Sequence, residues 1–258
     1  MLIGWTTLLL YLIFKKQKVL IDRKSALKLL GNGILIALHW YCFFEAIVRS
    51  NVSIALVFLS TTALFTSFVE PLITKKKFNP KELITSVLVV IGIIVIMNDL
   101  NFSENETYLS AIVFSLLAAL LAALFSVYNS VFVKEHHSGV ISFYELFGGF
   151  VFISLLFLLS GDIVVSELHL TMEQFFWLFL LGTICTSFAF LMGVYVMRFI
   201  PAYTVNLSVN LEPIYAIILA LLFFKDSELM DINFYIGSAI VVGSILLNAL
   251  FKKQKKAA

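Results

Sequence analysis

Charge is scarce in this 258-residue chain, and so is most of what a water-exposed domain is built from. Asp, Glu, Lys and Arg together make 13% of the residues, and there are four prolines, four histidines and two cysteines. No gap between apolar runs is long enough to fold by itself. Each scarcity excludes something. With 61% hydrophobic residues and a mean hydropathy of +1.01, the composition lies outside the soluble globular range. Cys42 and Cys185 sit inside apolar runs without CxxC spacing, so they read as small buried hydrophobes and not as a disulfide or metal pair. His39 stands alone in its run, while His136, His137 and His169 fall in gaps, so no zinc set and no other cofactor site is implied. The absence of G-x-S-x-G and H-E-x-x-H argues against an intramembrane enzyme. Basic residues form short clusters at run ends, which gives nucleic-acid binding no support.

What is present is a series of nine apolar runs: Met1–Phe14, Ser25–Val48, Val52–Thr74, Leu83–Asn98, Tyr108–Val133, Val140–Ser160, Phe175–Met197, Ala202–Phe224 and Asn233–Leu250. Sixteen of the eighteen Lys and Arg residues fall in every second gap, from Lys15 through Lys75–Lys77, Lys134 and Arg198 to the tail at Lys252–Lys256. The alternate gaps hold only Arg49 and Lys225 against nine acids. Short Lys/Arg-rich loops stay cytoplasmic. The pattern predicts an all-α polytopic helix bundle in the cell (inner) membrane with its C-terminus inside. Met1–Phe14 has no basic residues before it and is no signal peptide. It is also shorter than the roughly 17–25 residues of a comfortable span. The sequons at Asn101 and Asn105 read as chance matches in an Asn-rich loop.

An internal repeat appears at an offset of about 150 residues. Val52–Thr74 falls on Ala202–Phe224, Leu83–Asn98 on Asn233–Leu250, and Ser25–Val48 on Phe175–Met197. Tyr108–Val133 has no mate. The implied architecture is two inverted five-helix repeats, residues 1–107 and 108–258, with the first of ten helices absent here. The second half reads Ala202-Tyr-Thr-Val-Asn-Leu-Ser-Val-Asn-Leu-Glu-Pro-Ile-Tyr-Ala, then Lys225-Asp-Ser-Glu, then Gly237 and Gly243. The first half reads His39-Trp40, Ala46 to Ser53, Leu64-Phe-Thr and Gly92-Ile-Ile-Val-Ile. In order and spacing these motifs resemble the EamA-type permeases of the drug/metabolite transporter superfamily, closest to its bacterial branch with the Asn-Leu-Glu-Pro motif. The resemblance implies a carrier of small metabolites such as amino acids or related compounds. The alternative left open is a non-transporting remnant or an assembly subunit.

Ionisable residues inside a membrane are functional candidates by default. Glu45 and Glu70 lie near run ends, where a carboxylate reaches water or a nearby lysine. Glu212 is at the middle of its run, followed by Pro213, which breaks the backbone ladder and frees the Val209 carbonyl. At 100° per residue Thr204, Ser208, Glu212 and Tyr215 share one face, and Tyr203, Asn206, Asn210 and Pro213 the opposite one. A helix polar on two sides belongs inside the bundle, lining a substrate pathway. His39, next to Trp40, matches Glu212 in depth. Asn129 and the pair Tyr144-Glu145 match family-typical positions, and Gly148-Gly149 admits a close neighbour one turn on. The 26 Phe residues read as lipid-facing and packing surface. Ala239 and Gly243 have the spacing of a close helix contact, which a homodimer would use. The lipid bilayer and a small-molecule substrate are the expected partners, with protons as a candidate co-substrate.

Overall fold

A computed structural model describes residues 1–97, 106–160, 170–209, 215, 219 and 232–257. Within them the chain is helical and no strand occurs: an all-α polytopic bundle. The helices are α1 (Leu2–Phe14), α2 (Arg23–Arg49), α3 (Val52–Leu59), α4 (Thr62–Thr74), α5 (Pro80–Met97) and α6 (Glu106–Phe132). They continue as α7 (Ser138–Ser160), α8 (Met172–Leu180), α9 (Ala189–Val196), α10 (Ala202–Val209) and α11 (Ile232–Ala257). Five helical stretches among the described residues are long and apolar enough to cross a membrane. Burial follows suit. Hydroxyl and amide residues such as Thr66, Ser126, Asn129 and Ser142 are inside, while Phe175, Phe176, Trp177 and Phe179 are exposed along α8. That is the arrangement lipid selects, since it solvates hydrocarbon and no polar group.

The helices gather into two compact units, each drawing on two separate stretches of the sequence. The first comprises Met1–Leu38 and Tyr128–Pro201, the second His39–Val127 and Ala202–Ala258. In the first unit α2 crosses α7 backbone to backbone. A Cβ placed on Gly33 would run into the Glu145 carbonyl oxygen, and one on Gly148 would stand 2.5 Å from that of Leu30. The second unit packs α3, α5, α6 and α11 around Ile54, Val57, Phe58, Val89, Ile112 and Val241. There α5 meets α11 at Gly92, whose Cβ would lie 2.7 Å from the Gly237 carbonyl. A Cβ on Gly243 would have nothing within 4 Å. Ala239 and Gly243 both lie on the exposed side of α11.

Two interruptions depart from the expected uniform spans. The run Val52–Thr74 is broken at Ser60-Thr61 into α3 and α4. The break is satisfied from within. The Ser60, Thr61 and Thr62 hydroxyls donate to the carbonyls of Val57, Phe58 and Leu59 at 2.6, 2.7 and 2.6 Å. Between α8 and α9 the chain follows a π-helix over Leu181–Phe188. Its wider turn sets Gly182, Thr186 and Ser187 inward. Ser187 Oγ lies 2.8 Å from the carbonyl oxygens of both Gly4 and Gly182 and shares one proton between them. Cys185 is turned the other way and is exposed, which corrects the expectation that both cysteines are buried; Cys42 is.

The glycine crossing gives a direct test. Gly33→Ala is expected to cost about 1–3 kcal/mol, because the added methyl meets backbone that cannot give way. Gly31→Ala, two residues earlier where nothing stands within 4 Å, is expected to stay within about 1 kcal/mol of the parent. Thermal melts of the two variants check the difference.

Candidate functional site

Polar side chains inside the helices gather into separate clusters, each held by a bond that the linear sequence does not announce. In the second unit Asn206 of α10 donates to Thr66 Oγ1 on α4 and to Ser126 Oγ on α6, both at 2.7 Å. Thr66 and Ser126 pass their own protons to the carbonyls of Thr62 and Ala123. Three helices are thereby joined through one carboxamide, beside the broken segment Ser60–Thr62. All of these side chains are buried.

Lower on α4, Glu70 performs a task for another helix. Pro201 precedes the first residue of α10 and has no side chain able to cap it. The Tyr203 amide instead donates to Glu70 Oε2 at 3.0 Å. Lys76 Nζ donates to Glu70 Oε1 at 2.6 Å, so the carboxylate that reaches a lysine reaches Lys76 and also closes a helix end. The Tyr203 ring is fully buried, and its hydroxyl lies 2.7 Å from Thr85 Oγ1 and donates to the Glu82 carbonyl at 3.2 Å. Helix α3, by contrast, is capped locally: Asn51 Oδ1 accepts from the Ile54 amide at 2.8 Å. Asn51 and Pro201 are 150 residues apart.

His39 is buried with Nδ1 2.8 Å from the Ala118 carbonyl, a contact that requires the proton on Nδ1. Phe125 packs edge-on at 5.4 Å between ring centroids and Phe43 stacks at 6.4 Å. Trp40 beside it is half-buried. Glu45 pairs with Arg49 at 2.9 Å, and the guanidinium lies over Phe114 at 4.7 Å.

In the first unit Asn32 of α2 donates to Glu145 Oε1 at 2.7 Å and to Asn129 Oδ1 at 3.2 Å. The Asn129 amide also lies close to the same carboxylate without completing a bond to it. Glu145 and Asn129 are wholly buried. Tyr144, the neighbour of Glu145, packs against Phe143 and is only partly covered. Arg198 closes the far end of α6, donating to the carbonyls of Val133 and His136 at 3.2 Å each.

The sequence-derived candidates thus separate. Asn129 and Glu145 come together, joined by Asn32. Asn206 is buried with two hydroxyls that had not been singled out. Tyr215 is 63% exposed. Asn210, Glu212 and Pro213 lie outside the described residues. Asn32 carried a signal, since it sits between Gly31 and Gly33 within an apolar run. Ser60-Thr61-Thr62 carried another, being three polar residues in a row within an apolar run. No three His, Cys, Asp or Glu side chains converge as metal ligands among the described residues.

Comparison with known proteins adds the following. The sequence profile described as the EamA-like transporter family matches residues 1–98 and 109–250. An uncharacterized transporter of Clostridium kluyveri is 25% identical over 240 residues, 88% of this chain and 76% of that protein. The pseudopaline exporter CntI of Pseudomonas aeruginosa is 28% identical over 140 residues, 54% of this chain and 48% of the exporter, so that match spans about half its length. A solved crystal structure superposes with a TM-score of 0.73 at 15% identity, covering 96% of this chain and 84% of the other, a likeness of fold alone.

The cap supplied by Glu70 can be tested by moving it. Glu70→Ala is expected to cost about 1 kcal/mol and to speed hydrogen exchange at the Tyr203 and Thr204 amides. Adding Pro201→Asn, which copies the local cap at Asn51, is expected to recover most of that protection.

Proposed function

The chain belongs to the EamA-like transporter family, and from that premise we propose that it carries a small polar metabolite, such as an amino acid or a related compound. It is a multi-pass membrane protein and a transporter. The finer reading has residues 1–107 and 108–258 acting as inverted repeats that rock about a central site in the cell (inner) membrane. The C-terminus is cytoplasmic in this reading, supported by the side-to-side alternation of lysines. No chemical step is part of it.

The observation that carries the proposal is the polar interior around a broken helix: Ser60–Thr62, Thr66 and Ser126 converging with Asn206. Irregular backbone and buried hydroxyls at membrane depth are costly, and proteins retain them where a solute must be handled. Asn206 opens the segment that continues to Asn210, Glu212 and Tyr215. In this reading Glu212 sets selectivity by pairing with an ammonium group, and His39 and Trp40 belong to the same pathway. The exposed Ala239 and Gly243 suit a second copy of the chain. The 28% likeness to a bacterial exporter supports transport of a small metabolite.

In the reconstituted carrier, Glu212→Gln is expected to weaken substrate binding at least tenfold, the factor set by losing roughly 1.4 kcal/mol from a charged hydrogen bond. Transport should remain insensitive to the proton gradient. If binding survives and only gradient-driven accumulation is lost, Glu212 carries protons and does not hold substrate. Wild-type behaviour in both assays would remove Glu212 from the pathway.

A further inference from the structure

Among the buried side-chain atoms of the first unit that have no hydrogen-bond partner among the described residues are Glu145 Oε2, Asn129 Nδ2 and Ser142 Oγ. All three residues are fully buried. Ser138, Ser142 and Glu145 are spaced i, i+4 and i+7, so they follow one face of α7, and each is buried along that face. Ser138 is the first residue of α7, next to the loop containing Lys134, His136 and His137. A buried acceptor is therefore connected, through a column of hydroxyls, to a charged end of the bundle.

We propose that Glu145 reversibly binds one proton, delivered along α7 through Ser138 and Ser142 from the Lys134–His137 loop. At a rise of 1.5 Å per residue the two intervals are about 6 Å and about 4.5 Å along the axis, distances that one bridging water would span in each case. Every hydroxyl accepts one proton and releases its own, so the relay is unchanged after each transfer and the carboxylate gains or loses H⁺. Gly33 and Gly148 press the α2 and α7 backbones together at Glu145 and Leu30. The Asn129 amide lies beside the carboxylate: a small turn would bring Nδ2 to the anion, and half a turn would bring Oδ1 to the acid in place of its bond from Asn32. Among the described residues no titratable group of α1, α2, α6 or α7, the Met1 amine included, acts on this carboxyl; its side-chain neighbours are Asn32 and Asn129. The proposal rests on the carrier reading only for the use made of the proton, because proton binding itself is measured without substrate.

The test is infrared difference spectroscopy of the full chain in lipid through a pH titration, in ordinary and heavy water. A carboxylic-acid C=O band should appear and vanish with pH, persist in Glu70→Gln and be missing in Glu145→Gln. In Ser142→Ala the band should respond to a pH jump about tenfold more slowly, the factor expected for one lost hydrogen bond of about 1.4 kcal/mol. Should Glu145→Gln not fold, Asn32→Ala and Asn129→Ala must each displace the titration midpoint. A titration in which no band depends on Glu145 or on its two amides overturns the site. An unchanged response in Ser142→Ala overturns the relay. Neither outcome bears on whether the protein transports a metabolite.

Discussion

A bilayer offers hydrocarbon and no hydrogen bonds, so each polar group the chain carries into it must find a partner in the protein. Nearly every local feature follows from that constraint. Where α3 gives way to α4, the hydroxyls of Ser60, Thr61 and Thr62 turn back onto the carbonyls of Val57, Phe58 and Leu59, the first two of which also accept a backbone amide three residues on. Where the π-helix widens its turn, Ser187 covers two carbonyls with one proton. The deviations from regular helix persist because side chains that satisfy them are encoded within a turn of each.

Close approach between helices is the second consequence. Without water there is little hydrophobic drive between apolar helices, and contact distance decides the strength of packing. Gly33 against Glu145 and Gly92 against Gly237 are points where a methyl would separate backbones now in contact, and at Gly182 it would meet the Ile3 side chain. The crossing at Gly33 also sets the position of Asn32, and so brings its carboxamide to Glu145 and Asn129. Packing and polar chemistry are coupled there: the same small residues that bring the helices together determine which amides face the carboxylate.

The two halves of the sequence solve one problem differently. Asn51 caps α3 from its own chain segment, whereas α10 begins after a proline and takes its cap from Glu70 on α4. A carboxylate near the positive end of a helix is favourable, and Lys76 neutralises its second oxygen. Glu70 therefore fixes where α10 starts, and with it the register that delivers Asn206 to Thr66 and Ser126. From the sequence Glu70 was readable only as a carboxylate near a run end. Its second partner is a backbone amide 133 residues away, which no spacing rule reaches.

Hydropathy and the alternation of lysines determined the helical class, the approximate ends of the spans and the membrane setting, because each depends on the composition of a short stretch. Family-typical positions brought Asn129 and Glu145 into view, and a helical period placed Tyr203 and Asn206 on one face; both of the latter are buried. Tertiary structure alone decided that Asn32 completes the cluster at Glu145, that Asn206 bridges Thr66 and Ser126, and that the uninterrupted run Val52–Thr74 breaks at Ser60. Those outcomes depend on which helix lies against which, at what height and turned by what angle. Such quantities are set by glycine contacts and by hydrogen bonds between residues distant in the chain, and a one-dimensional pattern of polar and apolar residues does not contain them.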